Sequence, residues 1–198
     1  MEPQIPIELL VSYGATFKEY QKDEIIFQEQ EMPNFYYQIV QGSIKMFNLN
    51  EDGKEFTQGY FSQGQSFGEP PLFIGKRYPA SAIAFQNTEV IRINKEKFFA
   101  ILDEHPTILK EFLQLMARRI HNKATTSKDL INQKADFRII AFLNSYKKSD
   151  TKELIPFTRQ EIANFTGLRV ETVIRTISRM AKKKQIDIIN HKIYYWWS

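Results

Sequence analysis

The chain contains no cysteine. It therefore forms no disulfide, holds no thiolate-bound zinc and cannot ligate an iron–sulfur cluster through sulfur. No apolar run reaches the roughly eighteen residues of a membrane span, so no membrane partner is expected. The first residues, MEPQIPIELL, are acidic and lack the basic start and long apolar core of a signal peptide, so the expected location is cytoplasmic. Histidine is scarce: His105, His121 and His191 are scattered, with neither metal-ligand nor catalytic spacing around them. The chain also lacks a nucleophile elbow, a His/carboxylate metal motif and a phosphate-loop glycine pattern. These absences argue against an enzyme and against a metal site.

What is present is unevenly spread. Residues 1–136 hold 15 Lys/Arg and 18 Asp/Glu, a net −3, whereas residues 137–198 hold 12 and 5, a net +7. A basic C-terminal third fits a nucleic-acid-binding module attached to something else. Within it, TRQEIANFTGLRVETVIRTISRM (Thr158 to Met180) reads as two short helices around a tight turn. Ile162, Ala163, Phe165, Leu168, Val173 and Ile177 supply one apolar face. Gly167 supplies the turn, where a left-handed backbone disfavours a side chain. The outer face of the second helix, about residues 169–182, carries Arg169, Glu171, Thr172, Arg175 and Arg179. Glu171 and Arg175 are four apart and project together. Arginine suits guanine and glutamate suits cytosine in the major groove, the site a helix-turn-helix offers its second helix. A generic helical hairpin needs the apolar spacing but not this charged face.

The remainder follows in order. Residues 5–13 fit a short helix. From Phe17 to about Asn94, runs such as DEIIFQEQ, NFYYQIVQ, GSIKMFNLN, EFTQGYF, YPASAIAF and EVIRIN are strand-like and separated by turns, with Asp52-Gly53 a hairpin signal. Their close spacing predicts a small antiparallel β-roll. Phe67-Gly68-Glu69-Pro70-Pro71-Leu72 interrupts it, either as a loop whose amides face a ligand or as a tight corner. A helix starts at Lys95 and breaks at His105-Pro106. A longer one follows from Thr107, a candidate cap, to about Lys134. Along it Leu109, Leu113, Met116, Ile120, Lys123, Ser127 and Leu130 fall on heptad seam positions, with a polar gap at Lys123 and Ser127. The narrow stripe and the length predict a dimerisation helix. Ala135 to Tyr146 is a further amphipathic helix, and Lys147 to Glu153 a polar loop. Ile186–Ile189, a turn at Asn190-His191 and Lys192–Trp197 form a β-hairpin, which completes a winged helix-turn-helix. The fold class expected is α+β, with boundaries at 1–106, 107–135 and 136–198.

A β-roll, a long helix and a winged helix-turn-helix, in that order, resemble the Crp/Fnr superfamily of bacterial transcription regulators over nearly the whole chain. Gly42-Ser43-Ile44, Phe67-Gly68-Glu69 with Leu72-Phe73, Met116-Ala117-Arg118-Arg119, Thr158 to Ala163 and Val170-Glu171-Thr172-Val173-Ile174-Arg175 carry the likeness. The resemblance implies a cyclic-nucleotide-binding-like, cupin-like roll and a homodimer on a palindromic DNA site. It implies double-stranded DNA, a second copy of the chain and RNA polymerase as partners. Thr158, Arg159, Gln160, Arg169, Glu171, Thr172, Arg175 and Arg179 form the expected DNA face. In the Fnr branch a serine precedes the arginine, and here Ile174 stands there. In the cyclic-AMP branch an arginine precedes the glutamate, and here it is Val170.

The same resemblance locates an effector pocket at Gly68, Glu69, Arg77, Ala80, Ser81 and Lys123. The family's phosphate-binding arginine and serine fall, without gaps, on Pro79 and Ala80, and its helix Thr-Ser pair falls on Lys123-Ala124. Dependence on cyclic AMP is therefore not expected. The Fnr iron–sulfur mechanism needs cysteines, and no histidine suits a haem ligand, so no cofactor is expected and the effector is left open. Lys123 on a seam is expected either to pair with an acid or an anionic ligand near the roll, or to extend its amine into water. The competing function is a ligand-sensing roll whose winged domain contacts proteins rather than DNA.

Overall fold

The computed structural model describes residues 5–131, 134–146 and 151–196; over 125–131 it describes the helical backbone alone. Contacts divide the chain into two compact units, Met1–Arg118 and Arg119–Ser198.

In the first unit, α1 (Ile7–Ser12) precedes β1 (Thr16–Tyr20), β2 (Ile25–Phe27), β3 (Phe35–Gln41), β4 (Ser43–Leu49), β5 (Glu55–Ser62) and β6 (Ser66–Phe67). Then come α2 (Glu69–Ile74), β7 (Ser81–Ala84), β8 (Thr88–Asn94), α3 (Lys95–Glu104) and the start of α4 (Pro106–Ile131). The strands form two four-stranded sheets, ordered β1-β8-β3-β6 and β2-β7-β4-β5. Every pairing is antiparallel. The chain passes between the sheets repeatedly, and two of these crossings are at Gly42, after β3, and at residues 85–87, before β8. The Thr88 hydroxyl joins the two crossings: it accepts from the Ser43 amide at 3.1 Å and lies 2.7 Å from the Gln86 carbonyl oxygen.

Alternation along β3 and β8 sorts the core into two layers. Tyr37, Ile39 and Val90 join Tyr20, Phe27, Ile44, Phe67 and Tyr78 inside the roll. Tyr36, Ile91 and Ile93 lie on the other face, against Leu10, Leu72, Phe98, Ile101, Ile108 and Phe112 of the helices. The roll expected from the sequence is thus present, with three differences. TFKEY forms β1, a strand the pattern reading passed over because four of its five residues are exposed. The Gly68 to Leu72 interruption is a short helix, with Gly68 left-handed at its start and proline in its first turn, where the missing N–H costs nothing. Helix α4 begins at Pro106, so Thr107 is inside it and does not cap it.

The second unit contains the rest of α4, then α5 (Ala135–Tyr146), β9 (Glu153–Ile155), α6 (Arg159–Thr166), α7 (Val170–Lys182), β10 (Ile186–Ile189) and β11 (Lys192–Tyr195). The three strands pair antiparallel in the order β10-β11-β9. Strand β9 starts at Glu153, where a loop was expected; of that loop, residues 147–150 lie outside the described residues. Asn190 and His191 both take positive φ, at 49° and 62°, as a two-residue hairpin turn requires. Phe142 of α5 anchors the core, meeting Phe157 at 5.2 Å and Phe165 at 4.9 Å between ring centroids. The mixed α+β class follows from the two units together.

Candidate functional site

The second unit builds its helix pair from local chemistry. Thr158 and Glu161 form a reciprocal capping box: the Glu161 amide donates to the Thr158 hydroxyl at 3.2 Å, and the Thr158 amide donates to the Glu161 carboxylate at 2.6 Å. Gly167 ends α6 at φ 68°. Helix α7 then buries Val173, Thr176, Ile177 and Met180, spaced three and four apart along one stripe. Phe165 and Leu168, expected in the core, are only half-buried, whereas Thr166 is buried and its hydroxyl donates to the Ile162 carbonyl at 2.6 Å. The opposite side of α7 exposes Glu171, Ile174, Arg175, Ser178, Arg179 and Lys182. Its last turn is basic, which suits the negative end of the helix dipole.

The expected DNA-facing residues do not all sit alike. Arg169, Glu171 and Arg175 are exposed, and Thr172 is half-buried. Thr158 is committed to capping. Gln160 donates to Asn164 at 2.8 Å. Arg159 donates to the His191 carbonyl at 2.8 Å, which ties the first turn of α6 to the wing turn, and desolvation lowers its guanidinium from the ordinary value. Arg179 is ion-paired with Asp136 of α5. The partners Asp136 and His191 were missed by local spacing, because they stand 43 and 32 residues from the arginines they hold.

In the first unit, Gly68 of the expected pocket lies against an aromatic stack. Tyr78 lies on Phe27 with ring centroids 3.7 Å apart and planes 8° from parallel. A Cβ on Gly68 would stand 3.0 Å from the Phe27 ring and 3.3 Å from that of Tyr78. Burial pushes the Tyr78 hydroxyl far above its ordinary value, with Tyr37, Glu31 and Glu69 adding to the effect. Glu69 is buried at the start of α2, and Ala80 is buried beside Tyr78 in sequence. Arg77 is exposed and donates to the Gln30 carbonyl at 2.7 Å, while the Ser81 hydroxyl accepts from the Glu29 amide at 2.9 Å. The phenol and the stack were missed from sequence; the signal was a tyrosine directly before Pro79-Ala80.

Along α4, Ile108, Leu109, Phe112 and Leu115 pack on the core of the first unit. Of the expected seam, Leu109 thus joins that core, Met116 is half-buried, and Leu113 and Ile120 are 64% and 71% exposed. Lys123 is exposed on the second unit's part of the helix. The side chains of Ser127 and Leu130 lie outside the described residues.

Comparison with known proteins adds family to this geometry. Residues 17–105 match the cyclic nucleotide-binding domain, and residues 137–195 match the Crp-like helix-turn-helix domain. The cAMP-activated global transcriptional regulator CRP of Salmonella typhimurium is 30% identical over 91% of this chain and 89% of its own. The chain belongs to the Crp/Fnr family. Among other Crp/Fnr relatives, the nitrogen fixation regulation protein FixK of Bradyrhizobium diazoefficiens is 27% identical over 84% of this chain and 72% of its own. In fold, the chain resembles the structure of FixK2 from Bradyrhizobium japonicum, at 21% identity and TM-score 0.80 over 93% of both chains. It also resembles the c-di-GMP responsive regulator CLP of Xanthomonas campestris, at 18% identity and TM-score 0.81 over 97% of this chain and 98% of that one. As a Crp/Fnr protein it is a DNA-binding transcription regulator and not an enzyme, and its roll is a cyclic nucleotide-binding domain in type. Among the described residues no helix is long and apolar enough to cross a membrane.

Proposed function

We propose that this regulator works in the cytoplasm as a homodimer on a palindromic, G·C-containing DNA site, and that it does so without cyclic AMP. The observation that carries the reading is the outer face of α7, where Glu171 and Arg175 stand exposed one turn apart beside the exposed Arg169. Arg175 donates to guanine O6 and N7, and Glu171 accepts from the cytosine amino group, a pairing that the two side-chain geometries allow in the major groove. Thr158, Arg159, Gln160 and Thr172 border that face and position it on the phosphates, and Arg179 stands beside them, held by Asp136 until that pair opens. Dimerisation runs along α4 within residues 107–135, between the roll (1–106) and the winged domain (136–198). Support comes from Leu113 and Ile120, which are large, apolar and exposed in the single chain. Covering such side chains contributes roughly 1.5–3 kcal/mol each.

Independence from cyclic AMP is supported by Pro79 and Ala80, which offer neither guanidinium nor hydroxyl. The Phe27–Tyr78 stack beneath Gly68 supports it further. Any effector at Gly68, Glu69, Arg77, Ala80 and Ser81 is not an iron–sulfur cluster held by cysteines, of which the chain has none.

Selection of bound duplexes from a random pool, followed by gel shifts across a salt series, tests the reading. The expected result is a two-fold symmetric site, bound without added nucleotide, with affinity falling steeply with salt. Arg175→Ala should lose roughly 1–3 kcal/mol of discrimination at one G·C pair per half-site. An equal loss on all sequences removes the assigned role of Arg175.

A further inference from the structure

We propose that the roll carries its own occupant: the Tyr78 ring fills the space under Gly68 that an exchangeable ligand would need, so no small molecule has to bind there before the regulator engages DNA. This deepens the reading above by saying how the roll is regulated, and rests on it for DNA binding alone. Tyr78 is 2% exposed and joins Tyr20, Phe27, Tyr37, Phe67 and Val90 in the core of the roll. Its ring lies flat on Phe27, and only the missing side chain of Gly68 leaves room for both rings.

Residues 77–81, where the effector pocket was expected, are fastened to protein rather than left for a ligand to order. The Tyr78 amide donates to the Glu31 carbonyl at 2.9 Å, and the Tyr78 carbonyl accepts from the Gln30 amide at 2.9 Å. Arg77, the only cation of this stretch, donates to the Gln30 carbonyl at 2.7 Å. The Asn48 side-chain amide donates to the Pro79 carbonyl at 2.6 Å, and the Ser81 hydroxyl accepts from the Glu29 amide at 2.9 Å. Gln30 is held among these bonds at φ 69°, a left-handed backbone that a glutamine keeps only where its surroundings fix it.

Ordering of this loop is therefore complete on folding, and a ligand has no disorder left to remove. A ligand seated under Gly68 must also expel the Tyr78 ring, and its apparent affinity falls by the fraction of time that the ring is out. Returning a buried aromatic side chain to water makes that fraction roughly one in ten to one in a hundred. The ring is at once wall and occupant, and it excludes competitors for its place.

Cutting the ring out of the full-length protein and supplying it again tests this. Tyr78→Ala leaves a ring-sized gap, and phenol, the probe, is the side chain that was lost. In the variant the melting temperature should fall by roughly 10 °C. The amide at position 78 should lose its protection from hydrogen exchange, and affinity for the selected duplex should fall by roughly 10-fold or more. Phenol should return all three saturably toward the wild-type values. It should change none of them in the wild type or in Tyr78→Phe, which keeps the stack. If Tyr78→Ala is less stable yet binds the duplex as tightly as the wild type, the ring only fills the core and the proposal is overturned. It is overturned equally if phenol stabilises the variant without restoring DNA affinity. A second measurement does not depend on the variant folding: wild type unfolded in urea, freed of small molecules by dialysis and refolded should bind the duplex with unchanged affinity. Lost affinity with a native melting curve overturns the proposal. If no duplex is selected by any of these proteins, the reading of α7 fails, while the melting and exchange measurements still decide whether Tyr78 occupies the roll.

Discussion

Gly42 offers a test of how the roll is closed. It stands where the chain leaves one sheet for the other, at φ +95°. A Cβ there would lie 2.5 Å from the Thr88 hydroxyl, 2.6 Å from the Asn87 carbonyl oxygen and 2.7 Å from the Thr88 Cα. Two of these atoms are backbone, so relief requires the second crossing to move. Gly53, in the hairpin between β4 and β5, is the matched control, with φ +73° and nothing within 4 Å of a new Cβ. Alanine costs both sites roughly 1–2 kcal/mol for the left-handed backbone. At Gly42 the overpacking adds roughly 1–3 kcal/mol, and separating Thr88 from the half-buried Ser43 amide adds roughly 0.5–1.5 kcal/mol more. Gly42→Ala is thus expected to lose roughly 2.5–6.5 kcal/mol, a large part of a typical stability of roughly 5–15 kcal/mol. Urea denaturation followed by tyrosine emission measures it. If Gly42→Ala and Gly53→Ala unfold within about 1 kcal/mol of one another, the steric reasoning fails, since the backbone cost common to both would then be the whole effect.

Two further expectations follow from side-chain pairs. Asp136→Asn removes the charge that holds Arg179 and releases the guanidinium to a phosphate, so the slope of log affinity against log salt should steepen by roughly 0.9 per half-site; an unchanged slope would show that Arg179 stays off the DNA. The Tyr37 hydroxyl is pushed up from 10.0 to about 12, chiefly by burial and then by Tyr20, against the opposing pull of Arg92. The folded chain therefore holds this proton more tightly than the unfolded chain, and its stability is complete below pH 10 and declines as pH rises through 10 to about 12. Melting temperatures should fall across that window and less so in Tyr37→Phe; equal falls in both proteins would move the cause elsewhere.

Periodicity made some elements legible and geometry hid others. Helix α7 was readable because Val173, Ile177 and Met180 repeat at helical spacing while charges occupy the opposite side. The roll was readable from its turns, Asp52-Gly53 above all. Helix α2 was not, because Pro70 and Pro71 read as breakers, and only the left-handed Gly68 before them turns them into a helix start. Strand β1 was missed for a related reason: TFKEY presents exposed residues, and its place is fixed by pairing with β8 some seventy residues later. Within the site, exposure of Glu171 and Arg175 follows from helix phase alone. The ties of Arg159 to His191 and of Arg179 to Asp136 depend on how distant segments pack, which no local spacing reveals. The Phe27–Tyr78 stack is likewise a product of β2 meeting the distant loop before β7.

The division into two units also divides the chromophores. Both tryptophans, Trp196 and Trp197, follow β11 in sequence, and six of the nine tyrosines, at positions 13, 20, 36, 37, 60 and 78, belong to the first unit. Indole emission excited at long wavelength therefore reports on the winged domain alone, and phenol emission reports mainly on the roll. Lys152 lies 5.5 Å from the Trp196 ring centroid, so an anion that draws this ammonium away would register in the indole spectrum. The protein thus carries a separate intrinsic optical label for each unit, and one cuvette can follow an event in either without chemical modification.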